Sequence, residues 1–430
     1  MVSSADSIRN ALWTATVREP AVAADTLEAG REVDVAIVGG GFTGLSAALA
    51  ATTRGATVAL CEARTIGWGA SGRNGGQVIP GLKLDPSEMR AACGATIGDR
   101  LVKAVGGAAD SVFDLIKQHR IDCEPKRAGW IQAAHAGSAL ARVQKRGDEW
   151  AAEGAPVERL DATALKLFTG TDAYLGGWID RRAGTLQPLS YTRGLARAAQ
   201  RAGAKLHEGV RVNTLTHDGN LWRIASSAGE IRARSVIVGQ DGYADGLIPG
   251  VAESLICVQS AQVATEPLPE DLRRTIMPGG ICASETRRLA FYFRQSPDGR
   301  LLFGGRGAIG DAENPAFHGA LVAAMHRTFP ATKGLRIDHR WSGQVALTLD
   351  GLPHIHEPQP KLLIGLGYNG RGVALATLMG QWLVAKVLDE EAPPLPITPL
   401  QPILWHRLRK PAIQLGIAWA WFRDRMGFAA

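Results

Sequence analysis

One run of thirty residues, Val33 to Glu62, constrains this chain more than any other: VDVAIVGGGFTGLSAALAATTRGATVALCE. Val33 to Gly40 is β-branched and apolar and closes on glycines, which predicts a buried strand. Thr43 to Arg54 carries helix formers with Leu45, Ala48 and Leu49 at helical spacing, and Ala56 to Glu62 predicts a second buried strand. Strand, helix and strand in that order make a βαβ unit, which dictates a parallel sheet with helices on its faces.

The turn between the first strand and the helix reads Gly39-x-Gly41-x-x-Gly44. In that setting Gly39 permits the tight turn, Gly41 lets a pyrophosphate approach the backbone, and Gly44 lets helix and strand pack closely. The helix start offers free N–H groups and a partial positive charge to phosphates. Glu62 ends the second strand 18 residues after Gly44. A carboxylate there accepts hydrogen bonds from both ribose hydroxyls and repels a 2′-phosphate, so FAD or NAD fits and NADP does not. Phe42 and Thr43 inside the turn, with Ala63 and Arg64 after the glutamate, belong to the same predicted nucleotide site.

Three further glycine-rich turns choose between the two dinucleotides. They are Gly67 to Gln77 (GWGASGRNGGQ), Gly239 to Gly242 (GQDG) and Gly365 to Gly372 (GLGYNGRG). Glycine turns this far apart point to one long ligand touching many loops, hence to FAD. Between them the pattern predicts helices over 99–121, 138–153, 191–202, 317–329 and 372–388, and strands over 205–214, 221–226, 231–239 and 361–366. A separate set of strands is expected over 258–265, 289–294 and 300–305. Five prolines in Pro393 to Pro402 predict a stiff link to a C-terminal segment.

Bulk composition narrows the class. With 46% apolar and 21% charged residues among 430, the chain is globular and long enough for two cores. Its five cysteines are scattered with no Cys-x-x-Cys, which excludes a zinc or disulfide framework and suits a reducing compartment, so a cytoplasmic location is expected. No uncharged apolar run reaches the roughly 18 residues of a spanning helix, and the N-terminus lacks the order of a secretory signal. The net charge of +7 allows anionic ligands, nucleic acid or a membrane surface without choosing among them. No basic block stands beside the motifs, so no nucleic acid is expected. No His-x-x-x-His pair occurs, and His354 and His356 lack carboxylate or cysteine partners, so no metal is expected.

Four stretches, VDVAIVGGGFTGLSAALA, GWGASGRNGGQ, WSGQVALTLDGLP and GLGYNGRGVALATLMGQ, make the chain resemble the FAD-dependent D-amino-acid oxidase (DAO) superfamily over nearly its whole length. Within it the likeness is to the branch of γ-glutamylputrescine, L-pipecolate and related amine oxidoreductases, which the tail WFRDRMGF also resembles. The resemblance implies a mixed α/β fold: a discontinuous Rossmann-like FAD-binding domain (1–82, 150–250 and 343–400) and a substrate domain with a mixed antiparallel sheet (83–149 and 251–342), followed by a helical segment at 401–430. It implies that Ala70, Ser71, Arg73, Asn74, Gly75, Gly76 and Gln77 run along the pyrophosphate and isoalloxazine. Val212 would meet the adenine and Gly239 would border the same site. Gly367, Asn369, Gly370, Arg371, Gly372 and Val373 would approach the flavin ring. Two departures follow. Gly343 stands where a sarcosine-oxidizing relative tethers its flavin through cysteine, so non-covalent FAD is expected. Ala374 stands where that relative grips the substrate carboxylate with lysine, so sarcosine is an unlikely substrate.

The activity so implied is oxidation of an amine or amino-acid C–N bond to an imine, by hydride transfer to flavin N5, with O2 or another acceptor taking the electrons. Arg371 would stabilise negative charge on the reduced ring. Tyr292 and Tyr368 would supply an apolar wall that keeps the amine neutral. Arg294 and Arg306, at strand ends, are candidates to hold a substrate carboxylate. Residues 404–428 mix tryptophans with arginines, and Leu415, Trp419, Phe422 and Met426 share one helical face. Such a helix either packs on the protein or lies in a membrane interface, where a dehydrogenase could pass electrons to a quinone. An FAD domain acting on tRNA and a non-catalytic flavin-binding subunit are the remaining alternatives.

Overall fold

The computed structural model describes residues 10–308 and 315–425. Two eight-stranded sheets carry it. In the first, strand Glu32–Val38 lies between Val58–Glu62 and Gly229–Val238 with all three parallel, so Val38 is opposite both Cys61 and Val238. Lys205–Glu208 extends one side and Leu362–Leu366 the other, also parallel, and His354–Gln359 closes the edge antiparallel. These strands read as apolar runs because helices cover the sheet.

Helix Phe42–Thr53 crosses helix Gly372–Asp389 at very short range. A Cβ at Gly380 would fall 2.4 Å from the Thr43 carbonyl oxygen and 2.7 Å from the Ala47 amide. Ser46 Oγ donates to the Thr377 carbonyl at 2.6 Å across the same crossing. Gly372–Asp389 is long and apolar enough to span a membrane, but most of it is buried here against the fingerprint helix.

The second sheet runs in the order Ile337–Leu347, Ile256–Pro267, Arg300–Ala308, Phe291–Gln295, Cys282–Glu285, Trp130–Ala133, Gly176–Asp180 and Val157–Asp161. Every pairing in it is antiparallel except Cys282–Glu285 with Trp130–Ala133. A two-stranded ribbon of Gln77–Val78 and Gly184–Thr185 lies between the sheets in sequence and joins the glycine loop to the rest.

Several sequence expectations are corrected. Strands Val157–Asp161 and Gly176–Asp180, expected with the nucleotide-binding segments of 150–250, are the edge of the second sheet. Their alternation turns Ile179 and Leu160 into that sheet's core. Conversely, the stripe of Leu101, Val105, Ala108, Val112 and Ile116, expected within the substrate domain, packs in the same core as the fingerprint strand and helix. The single helix expected over 99–121 is two, Ala95–Gly106 and Ala108–His119, broken at Gly107. The strand expected over 205–214 is likewise interrupted by Gly209, whose φ of +71° no strand residue adopts. The tail forms helix Arg409–Arg425, with Leu415 and Trp419 exposed; Met426 and Phe428 lie outside the described residues.

Candidate active site

A cavity of about 690 Å³ opens where the two sheets meet, inside the roughly 300–1,000 Å³ usual for ligand sites. At one end it is walled by the carboxyl ends of the parallel strands, the place where open α/β sheets bind ligands. Gly39 adopts φ +108°, with the Gly239 carbonyl so close that a Cβ would meet it at 3.1 Å. The Gly40 amide donates to Glu62 Oε2 at 2.7 Å and the Arg64 amide to Oε1 at 2.8 Å. Burial raises the Glu62 pKa above the usual carboxylate range, and these two N–H groups counter the rise. Gly41 is held against Ser71, whose Oγ accepts from the Phe42 amide at 2.9 Å and would lie 2.9 Å from a Cβ at Gly41. Thr43, Ala63, Arg64, Val212 and Gly239 all line the same end.

The stretch Gly67 to Gln77 forms the floor. Its centre is a 3-10 turn, Ala70–Gly72, followed by Arg73 to Gly76 and the two-residue strand Gln77–Val78. Its glycines answer to specific contacts. A Cβ at Gly72 would reach 2.2 Å from the Gly67 carbonyl, and one at Gly76, where φ is +64°, 2.2 Å from the Leu186 carbonyl. Gly75 lies under Tyr292, which would be 3.1 Å from a Cβ there. Arg73 is buried and stacks over Trp68 at 4.7 Å, while its carbonyl accepts from Gln262 Nε2 and Trp341 Nε1. Ala70, Ser71, Arg73, Asn74, Gly75 and Gln77 line the cavity.

The turn before helix Gly372–Asp389 also brings Gly370, Arg371, Gly372 and Val373 to the wall, so the helix N-terminus faces the cavity. Tyr368 ties this turn to the fingerprint through a 2.6 Å hydrogen bond with Thr43 Oγ1. Arg371 stacks over Trp130 at 4.9 Å and donates to the Pro80 carbonyl at 2.6 Å. Burial, and then Arg146 nearby, pull its pKa down to about 9. Tyr292 bonds Ser260 Oγ at 2.9 Å and lines the cavity.

Gly44 does its expected packing inside the turn, four expected residues stand off the cavity wall, and the side chain of Arg306 is outside the described residues. Gly44 packs into the fingerprint turn, where a Cβ would be 2.0 Å from the Gly39 carbonyl oxygen. Gly76 is turned away from the cavity by its contact with Leu186. Gly367 donates its amide to Asp241 Oδ1 at 2.7 Å. Asn369 is buried, and its side chain bonds Thr348 and the Gly367 carbonyl. Arg294, expected at an open strand end, is 2% exposed and roofed by Trp13. Arg306 pairs with Ser260 in its strand, and its side chain lies outside the described residues. Asn74 lines the cavity, but its amide is engaged in its own loop, bonding the Ala70 and Ser71 carbonyls and the Gly76 amide.

The structure adds residues that sequence reasoning missed. Lys83, Arg142, Arg146 and Arg287 line the cavity beyond Arg371 and Trp130. Arg146, buried, pairs with Asp85, which also caps helix Pro86–Cys93 in a capping box with Glu88. Gln132 Oε1 accepts from Arg146 Nη1 at 3.4 Å. Glu285, buried and paired with Arg287, has its pKa pushed up to about 7 by burial, against the pull of that arginine. The D-P-S-E box at 85–88 was the one local signal for this corner.

A family model described as FAD dependent oxidoreductase (DAO) matches residues 34–386. Gamma-glutamylputrescine oxidoreductase of Escherichia coli (strain K12) is 32% identical over 409 residues, 94% of this chain and 95% of that protein. Among solved structures, glycine oxidase from Geobacillus kaustophilus superposes with a TM-score of 0.71 at 20% identity, over 87% of this chain and 99% of that one. L-proline dehydrogenase from P. horikoshii gives 0.70 at 19%, over 84% and 95%. At these identities the two structures speak for the fold.

Proposed function

Because the chain belongs to the DAO family of FAD dependent oxidoreductases, we propose that it oxidises the C–N bond of an amine that also carries a carboxylate, either a γ-glutamylputrescine-like amine or a cyclic secondary amino acid such as L-pipecolate or proline. It is an FAD-dependent oxidoreductase acting on amines or amino acids. The residues present fit the cofactor: a half-buried carboxylate, Glu62, beside a fingerprint turn, a backbone cradle at Gly41 that a Cβ would fill, and two helix N-termini on one cavity. Gly343, at the position where a tether would stand, leaves FAD held without a covalent bond. When bound, FAD takes up the two electrons that leave the C–N unit.

The observation that carries the substrate class is the far wall, where Lys83, Arg142, Arg146, Arg287 and Arg371 face one cavity with Glu285. A carboxylate meets charge-assisted hydrogen bonds there, and guanidinium groups suit it bidentately. Trp130, Ile79 and Tyr292 give the same space apolar surface, which disfavours the ammonium form and keeps the nitrogen lone pair available. The likeness to gamma-glutamylputrescine oxidoreductase supports an amine bearing a distant amino-acid head. The test is anaerobic addition of γ-glutamylputrescine, L-pipecolate, L- and D-proline and N-methyl amino acids to the yellow protein, then readmission of O2 or an artificial acceptor. One of these amines is expected to bleach the flavin; if none does, the proposal fails. Recovery of colour with O2 marks an oxidase, and recovery only with the acceptor marks a dehydrogenase.

A second reading concerns place. Leu404, Trp405, Leu408, Leu415 and Trp419 are exposed on a segment rich in arginine. This favours peripheral contact with an anionic membrane, where a quinone would be the acceptor. Full-length protein is expected to float with anionic liposomes, whereas a chain ending at Pro402 stays at the bottom. Equal behaviour of the two removes the idea.

A further inference from the structure

Strand Phe291–Gln295 places Tyr292 and Arg294 on one face, opposite Ser284 and Cys282 of the neighbouring strand. Tyr292 reaches the cavity from that face. Arg294, two residues on, does not, because the glycine loop and Trp13 cover it. Its guanidinium stacks on Trp13 at 5.0 Å and donates through Nη2 to the Leu186 carbonyl at 2.9 Å. A Cβ at Gly76 would lie 2.7 Å from that same Nη2, so the loop backbone rests on the charge. The two neighbours of Gly76, Gly75 and Gln77, are cavity wall.

No carboxylate among the described residues forms an ion pair with Arg294; the acidic groups near enough to act on it are the Cys282 thiol and Glu124. Arg294 Nε has no hydrogen-bond partner. Burial lowers its pKa to about 10, which still leaves it charged at neutral pH. An arginine kept only to brace Leu186 would be matched by an acid or replaced by a neutral donor, since burying an unpaired charge is costly. In a poorly screened interior its field extends across the loop into the site.

We propose that Arg294 is a positioning residue that acts through the glycine loop, setting a positive charge held in no ion pair behind that loop and so making a bound flavin easier to reduce. The proposal rests on FAD filling the cavity. Reduced flavin carries more negative charge than oxidised flavin, so a fixed cation one loop away favours the reduced form. The same charge favours anions that add to the ring, sulfite among them.

The test compares Arg294→Met, Arg294→Lys and Cys282→Asp as FAD-loaded proteins, by reduction potential, sulfite affinity, FAD dissociation and thermal unfolding. Arg294→Met is expected to shift the oxidised–reduced equilibrium about tenfold toward oxidised, which is about 30 mV for a two-electron couple. It should weaken sulfite binding by a similar factor. Arg294→Lys keeps the charge and should hold most of the wild-type potential. Cys282→Asp sets a carboxylate across the strand from an intact Arg294. It should lower the potential in the same direction, and it decides the matter if Arg294→Met fails to fold. If the variants retain FAD and lose stability while potential and sulfite affinity stay at wild-type values, the proposal is overturned and Arg294 is a brace alone. Wild-type protein that fails to retain FAD would overturn the cofactor assignment as well.

Discussion

Gly44→Ala is expected to give a protein that purifies without its yellow colour. The added methyl would sit 2.0 Å from the Gly39 carbonyl oxygen and 3.2 Å from Ile37 Cγ2. The first of these is backbone, so relief requires the fingerprint turn itself to move. That turn holds Gly40 on Glu62 and Phe42 on Ser71. Shifting it misplaces the Glu62 carboxylate and the helix start together, and both lose their value for a dinucleotide. Overpacking alone costs about 1–3 kcal/mol, and the loss of bound FAD removes further stabilisation by mass action. Flavin absorbance per protein and the thermal midpoint with and without added FAD measure the two parts. Gly319→Ala is the control: it lies inside helix Pro315–Thr328 with nothing within 4 Å of its Cβ, and it should keep its colour with equal or slightly higher stability. A yellow, stable Gly44→Ala protein would contradict the role assigned to this turn.

Arg146→Met is expected to cost about 3–5 kcal/mol, because it strands Asp85 as a buried charge. The side chains are 10% and 3% exposed, so little water is available to solvate the survivor. Exchanging both partners, Asp85→Asn with Arg146→Met, should recover most of the loss. Asparagine still caps helix Pro86–Cys93, and no charge remains to be solvated. Urea unfolding of the two single variants and the double variant gives the coupling energy; simple additivity would show that the pair is not the unit described. The double variant separates folding from substrate binding. With stability restored, it should still show a raised KM for carboxylate-bearing amines, since one cation has left the far wall.

The parts of this molecule that were legible in sequence are those decided by neighbours along the chain. The fingerprint turn, Glu62 and the glycine loop each lie within a short stretch whose backbone needs are written in residue type. The apolar pattern of Leu289 to Arg294 also indicated a strand, and one runs over Phe291–Gln295. What it could not supply was the roof over Arg294, which comes from Trp13 and Leu186, far away in sequence. Asn369 and Gly367 were misread for a similar reason: their partners, Thr348 and Asp241, arrive from other strands and turns. The cationic wall was missed because Lys83, Arg146 and Arg287 sit on three separate elements that only the meeting of two sheets brings together. Edge strands Val157–Asp161 and Gly176–Asp180 were not read as strands, and only the resemblance put residues 150–250 with the nucleotide-binding segments; local pattern leaves open which sheet receives a short edge strand.

The order of strands in the first sheet has a consequence for how the protein is made. Glu32–Val38 is separated by long stretches of sequence from its parallel neighbour Gly229–Val238 and from that strand's neighbour Leu362–Leu366. The turn at Gly370 to Gly372, which finishes the cavity wall, follows later still. The dinucleotide fingerprint therefore keeps an open sheet edge until strands far along the sequence have joined it. Long-range pairing of this kind is slow and exposes apolar strands in the meantime. A cradle built from such distant segments is complete only when these pairings have closed, so FAD stabilises the chain only from that point on.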